Sequence, residues 1–349
     1  MSGPKVTVIG AGSFFFGRPV LHKMATSPVM RGGTLALVDV KPDVLATMQK
    51  LAERVFAETG CEVRIEVSTE RRDVLAGSDF VVLTFSDRNA HFRGIDTEIA
   101  AKHGVRMCSS DTIGPGGIFR ALREIPHVLE MARDVEELCP NAWVVNFVNP
   151  TTVLGIALRR FAPGVKSFAL CDGHHEPYNT LQWCKTAGIL AEDAEAVPPA
   201  VMNKLDLAIA GINHCTWLTR FKYDGVDRMP VIYDHFQKKA AEDTEERAAE
   251  KGAKGRYNST YALTLFDLYG VFPTAIAHTK EYVPFFQGYG VEPAVPAPLA
   301  CFNAETRADK MAERWAETER YAAGELPVAE FINTVSDDHA TDIIESMWG

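Results

Sequence analysis

Long apolar runs are missing from this 349-residue chain: although 46% of its residues are hydrophobic, none of the runs reaches the roughly 18 residues that a spanning helix needs. A strand-like cluster begins already at Lys5 with no signal peptide before it, so a cytoplasmic location and no membrane partner are expected. Positive charge is also scarce. Against 46 Asp and Glu stand 36 Lys and Arg, a formal net charge of -10, which argues against nucleic acid or an anionic lipid surface as partner. The seven cysteines (61, 108, 139, 171, 184, 215, 301) are scattered and odd in number, with no CxxC pair. They read as reduced thiols in a reducing compartment. Internal repeats and low-complexity tracts are absent too, while the length suffices for one large or two ordinary domains.

What the chain does contain is concentrated in a few places. Val165 to Pro177, VKSFALCDGHHEP, ends an apolar run on Cys171, Asp172, Gly173, His174 and His175. A thiol, a carboxylate and two imidazoles directly after a strand carry metal-ligand and proton-transfer chemistry. In an open α/β sheet they would lie where ligands bind, beyond the carboxyl ends of the strands. The alternative is a polar loop with one buried cysteine.

The N-terminal stretch Val6 to Gly17, VTVIGAGSFFFG, pairs a β-branched run with Gly10 and Gly12, followed by Ser13, and places its next glycine only at 17. Gly10 would permit a tight turn and Gly12 a close approach of backbone to a pyrophosphate at the following helix. A helix over 18–27 and a strand over 34–40 bearing Asp39 complete the context of a dinucleotide-binding unit. Asp39 would bond the ribose hydroxyls and repel a 2′-phosphate, favouring NAD over NADP.

Further strands are expected around 63–67 and 79–84, with Ser86 to Asn89 after the latter as a cofactor-side loop. Ser110 to Arg123, SDTIGPGGIFRALR, opens a helix running to Leu138, where Asp111 and Arg120 form a polyol or anion clamp or else a simple helix entry. Asn141 to Pro150 is a strand that ends in Asn149, whose amide can donate to and accept from a sugar hydroxyl. Leu205 to Tyr223 alternates as two antiparallel strands would. Gln237 to Arg256 reads as a solvated helix and connection that could serve as a lid. Helices are expected over 308–323 and 340–347.

Taken together, VIGAGS, DTIGPGGIFRALREIP, WVVNFVNPTTV, and ALCDG with AGINHCTW resemble glycoside hydrolase family 4, and GVFPTAIAHTKEYVPFF resembles a segment of its members acting on non-phosphorylated α-glycosides. The resemblance implies an α/β fold of the lactate/malate-dehydrogenase-like kind: a Rossmann-type doubly wound parallel sheet, expected over 1–190, plus a second mixed α/β domain, expected over 191–349. It implies hydrolysis of an O-glycosidic bond, that of an α-linked sugar, by NAD-dependent oxidation at C3, deprotonation at C2 and elimination, an exception to two-carboxylate hydrolysis. Two other readings stand beside it: an NAD-dependent sugar or hydroxyacid dehydrogenase, and an inactive NAD-binding sensor. The implied metal is Mn²⁺ or another divalent ion, held by Cys171 and His214. Asn149 and Asn213 would contact the sugar. Asp172 would protonate the leaving group, Tyr282 would be the base with Tyr257 and Tyr261 behind it, and His278 would be a further acid/base or ligand. A small-molecule glycoside is the implied partner, within a homo-oligomer (dimer or tetramer). Family members of this kind continue for several dozen residues past the equivalent of Gly349, so a compact or a shortened member is expected.

Overall fold

The computed structural model describes residues 3–13, 17–86, 88–107, 112–171, 178–212, 214–244, 257–282, 302–334 and 339–349. Its strands are β1 (Lys5–Ile9), β2 (Thr34–Val38), β3 (Arg64–Ser68), β4 (Phe80–Leu83), β5 (Trp143–Asn146), β6 (Lys166–Ala169), β7 (Leu205–Ile212), β8 (Cys215–Tyr223), β9 (Val226–Asp227) and β10 (Phe272–Pro273). The helices that matter below are α1 (Gly17–Thr26), α2 (Pro42–Thr59), α3 (Arg72–Leu75), α4 (Asn89–Lys102), α5 (Gly114–Leu138), α6 (Thr151–Phe161), α7 (Tyr178–Thr186), α8 (Pro199–Met202), α9 (Met229–Ala240), α10 (Asn258–Tyr269), α11 (Ile276–Tyr282), α12 (Ala304–Ala323), α13 (Val328–Thr334) and α14 (His339–Trp348). Among the described residues no helix is long and apolar enough to cross a membrane.

Two compact units divide the chain. The first comprises residues 1–94, 111–170 and 303–349, the second 95–110 and 171–302. The sequence places one boundary at 190/191; the chain instead passes between units at 94/95, 110/111, 170/171 and 302/303. The physical reason lies in the last three helices. Arg18 at the head of α1 is buried, stacks over the rings of Tyr321 (5.5 Å) and Phe331 (5.2 Å), and pairs with Glu317 at 2.9 Å. Arg54 on α2 donates to the carbonyls of Tyr321 and Leu326, so α12 and α13 belong to the first unit.

The first unit holds a six-stranded parallel sheet in the order β3-β2-β1-β4-β5-β6. That order is the doubly wound one, with its reversal between β1 and β4. Continuous apolar strands such as β2 (TLALV) and β4 (FVVL), buried at every position, fit a sheet covered on both faces. One face packs with α1 and α2 through Leu21, Met24, Leu51 and Val55; the other packs Val128, Met131, Leu154 and Leu158 of α5 and α6.

The second unit contains an antiparallel sheet ordered β10-β8-β7, with β9 paired to β8. Its core joins Leu218 and Phe221 of β8 to Trp183, Ile232, Ala262 and Phe272. The charged stretch at 237–256 is helical in α9 to Ala240, and its portion at 245–256 lies outside the described residues.

Candidate active site

Three glycines shape the turn after β1, and each has a geometric reason. Gly10 has φ +93, and a Cβ there would lie 2.6 Å from the Phe85 backbone nitrogen. A Cβ on Gly12 would meet Val44 Cγ1 at 2.3 Å, and one on Gly17 would meet the Ala11 carbonyl at 2.4 Å. Gly17 thus supplies the close helix–strand approach that a third glycine gives a dinucleotide turn, displaced along the sequence. Ser13 closes the loop through its backbone, donating to the Gly10 carbonyl and accepting from Gly17 N. Asp39, just past β2, accepts from Gly12 N through Oδ2 (3.0 Å) and from Lys41 N through Oδ1 (3.1 Å). Its carboxylate is therefore fixed against the turn rather than free in solvent.

Beside this turn runs the loop after β4. Thr84 Oγ1 donates to the Gly10 carbonyl at 2.8 Å, joining the two loops across the sheet's reversal point. Ser86 Oγ accepts from Arg120 (3.1 Å) and Asn89 (3.2 Å) and donates to Glu124 Oε1 (3.2 Å). Arg120, expected to clamp a ligand, is only 7% exposed and points one helical turn along α5, its Nε 3.8 Å from Glu124. Burial pushes the Glu124 carboxyl above its ordinary value, opposed by Arg120, the Ser86 hydrogen bond, His127 and Arg123. Asp111, the other half of the expected clamp, lies outside the described residues. Asn149 follows β5 at the same edge and accepts from Thr151 Oγ1 through Oδ1 at 2.7 Å.

In the second unit the thiol and imidazole singled out by the sequence meet: Cys171 Sγ stands 3.0 Å from His214 Nε2. The presentation of His214 follows from a tight reversal. Ile212 of β7 pairs with Cys215 of β8, so His214 sits in the connection between them. Gly211, at φ +133, makes it feasible, since a Cβ there would lie 2.3 Å from the Cys215 carbonyl. The His278 ring lies against His214 with centroids 4.3 Å apart, and Tyr282, one turn further along α11, is 5.8 Å from His278. The two alternative tyrosines are placed otherwise. Tyr257 and Tyr261 are core residues packed with Leu265 and Trp217, and burial pushes the Tyr261 phenol up, the wrong direction for a base. Asp172 and Asn213 lie outside the described residues.

These residues fit the groups that the sequence implies. The glycine turn leaves a cradle that any Cβ would fill, as a dinucleotide phosphate requires. Cys171 and His214 offer one soft and one borderline donor at one point, although no cluster of three His, Cys, Asp or Glu converges among the described residues. Sequence reading missed Ser86 as a hub and Glu124 altogether; the i,i+4 spacing of Arg120 and Glu124 in RALRE was the available signal.

Comparison with known proteins gives the same direction. A model described as "Family 4 glycosyl hydrolase" matches residues 5–183, and one for the "Family 4 glycosyl hydrolase C-terminal domain" matches 209–349. An alpha-galactosidase of Bacillus subtilis (strain 168) is 32% identical over 290 residues, 81% of this chain and 60% of that protein. An alpha-galacturonidase of the same organism is 29% identical over 355 residues, covering 99% of this chain and 74% of its own length. The chain thus spans about three fifths of the galactosidase it matches. Among solved structures, a 6-phospho-alpha-glucosidase from gut microorganisms, in complex with NAD and Mn²⁺, superposes with TM-score 0.71 at 21% identity, covering 99% of this chain and 74% of the other, and shows the shared fold.

Proposed function

The chain belongs to family 4 of the glycosyl hydrolases, and from that premise we propose that it cleaves an α-linked galactoside or galacturonide with the help of NAD and a divalent metal such as Mn²⁺. The observation that carries the proposal is the 3.0 Å approach of Cys171 Sγ to His214 Nε2, which a plain hydroxyacid or sugar dehydrogenase on a doubly wound sheet has no need of. When bound, NAD⁺ and the divalent ion supply a hydride acceptor for the sugar's C3 and a Lewis acid for its vicinal oxygens.

The remaining steps belong to this chain's own side chains. Gly10 and Gly12 let backbone N–H groups close on the pyrophosphate, and Asp39 selects NAD over NADP by repelling a 2′-phosphate. Cys171 and His214 would hold the ion, and Asn149, its Oδ1 accepting from Thr151, would orient the sugar hydroxyls. Tyr282 Oη would take the proton from C2; a phenol ordinarily near pKa 10 needs positive charge nearby to do so at neutral pH, and a bound divalent ion would supply it. His278 spaces Tyr282 from His214 and is the second candidate for that proton. Asp172 would deliver a proton to the departing oxygen, and Asp111 and Asn213 would contact the sugar, with Arg120 supporting the loop after β4 from behind through Ser86. A cytoplasmic setting would keep Cys171 reduced. Self-association into a dimer or tetramer is part of the same proposal: Ile118, Phe119 and Leu122 on α5 are large, apolar and exposed.

The test is a panel of nitrophenyl α- and β-glycosides, including galactosides, galacturonides and 6-phosphates, with NAD⁺ and Mn²⁺ each present or omitted under reducing conditions. Nitrophenol release requiring both, with no net NADH, is expected. NADH accumulating with free sugar would replace the proposal by the dehydrogenase reading.

A further inference from the structure

Glu124 is a buried acid that the proposed chemistry does not use. It lies on α5, 3% exposed, and its Oε2 has no hydrogen-bond partner among the described residues. An unpartnered buried carboxyl oxygen is an uncompensated cost, and an apolar side chain of similar volume would avoid it. Its other oxygen accounts for its presence. Oε1 accepts from Ser86 Oγ, and Ser86 in turn accepts from Arg120 and Asn89, so one acid on α5 holds the loop after β4 from behind. That loop is no ordinary connection. The sheet order reverses between β1 and β4, the place where doubly wound sheets bind their ligands. The Gly10 turn and the β4 loop are also in direct contact there, through Thr84 Oγ1 on the Gly10 carbonyl and through the Phe85 backbone against Gly10.

We infer that Glu124 is a positioning residue for the dinucleotide: through Ser86 and Arg120 it fixes the β4 loop against the glycine turn, and so sets the width of the cofactor's cradle. The inference rests on the dinucleotide reading of that turn. Glu124 touches neither cofactor nor sugar in this role; it acts through Ser86.

The experiment is titration of the full chain with NAD⁺ by calorimetry, without substrate or metal, so that no turnover is needed for the readout. Wild type binds. Glu124→Ala weakens binding about tenfold, equivalent to about 1.4 kcal/mol. Glu124→Gln retains an acceptor for Ser86 and stays within about threefold of wild type. Val128→Ala, on the buried side of the same helix, lowers Tm without changing NAD⁺ affinity. Glu124→Ala binding as wild type does, or Val128→Ala weakening binding as much as Glu124→Ala, overturns the inference. Should Glu124→Ala not fold, Ser86→Ala carries the same test, with weakened affinity expected and unchanged affinity overturning it. A folded wild type that does not bind NAD⁺ at all overturns the dinucleotide reading, and this inference with it.

Discussion

The glycine turn of the first unit and the thiol–imidazole pair of the second are built by opposite means. At the turn the geometry is written in the backbone: Gly10, Gly12 and Gly17 each stand where a Cβ would strike a neighbouring chain or side chain, and Gly10 holds a φ of +93. At the pair it is written in two side chains, Cys171 and His214, with Gly211 required to form the hairpin that presents the histidine. A backbone-built site cannot be altered without disturbing the fold around it. A side-chain-built site can lose its chemistry while the fold stays. The two halves of the proposed reaction should therefore come apart under mutation.

The sharpest break comes at Cys171. Cys171→Ser should lower metal-dependent turnover about a thousandfold, as loss of a Lewis-acid site worth several kcal/mol implies, while calorimetry finds NAD⁺ affinity within twofold of wild type. Loss of NAD⁺ binding in the same variant would erase the distinction between the sites. Tyr282→Phe comes next, with turnover down about a hundredfold and affinity for both NAD⁺ and Mn²⁺ retained; full activity would pass the role of base to His278. Gly10→Ala tests the other side. Forcing a Cβ at positive φ onto the Phe85 backbone costs about 1–3 kcal/mol, so both Tm and NAD⁺ affinity fall, the latter about tenfold or more, whereas Mn²⁺ binding in the second unit is kept. An alanine variant that binds NAD⁺ normally would show that the turn is not the cradle.

The smallest effect concerns Glu124. Its carboxyl is pushed by burial above the ordinary 4.5, so the fold binds that proton more tightly than the unfolded chain does. Its contribution to stability is full below 4.5 and is lost as pH rises through the folded value. Glutamine has no such loss. The Tm of Glu124→Gln relative to wild type should therefore grow with pH across that interval, by about 1–2 °C. A difference independent of pH would mean that the carboxyl is not desolvated.

Much of this was legible beforehand. Apolar strands bounded by glycine and proline mark β1, β2 and β4, and the Gly-Pro-Gly-Gly entry marks α5 to its end at Leu138. Cys171 and His214 are visible as residue types in motifs, and they do meet. The unit boundaries were not legible, because periodicity identifies α12 and α13 as helices without naming the surface they cover; Arg18 between Tyr321 and Phe331 decides that. Nor does a tyrosine's place in the sequence reveal its burial, and Tyr257 and Tyr261 prove to be core residues. The sequence marks Arg120 for a ligand, whereas its contacts to Ser86 and Glu124 show only in the coordinates, since the first is a hydrogen bond spanning 34 residues.

Elimination and direct hydrolysis differ in the fate of one hydrogen, and following it is the most direct test. With an α-galactoside or α-galacturonide, NAD⁺ and Mn²⁺ in D₂O, the free sugar should carry deuterium at C2, because the proton removed there is replaced from solvent. Product with undiminished protium at C2, released at the full rate, would contradict the assignment of this chain to an NAD- and metal-assisted elimination.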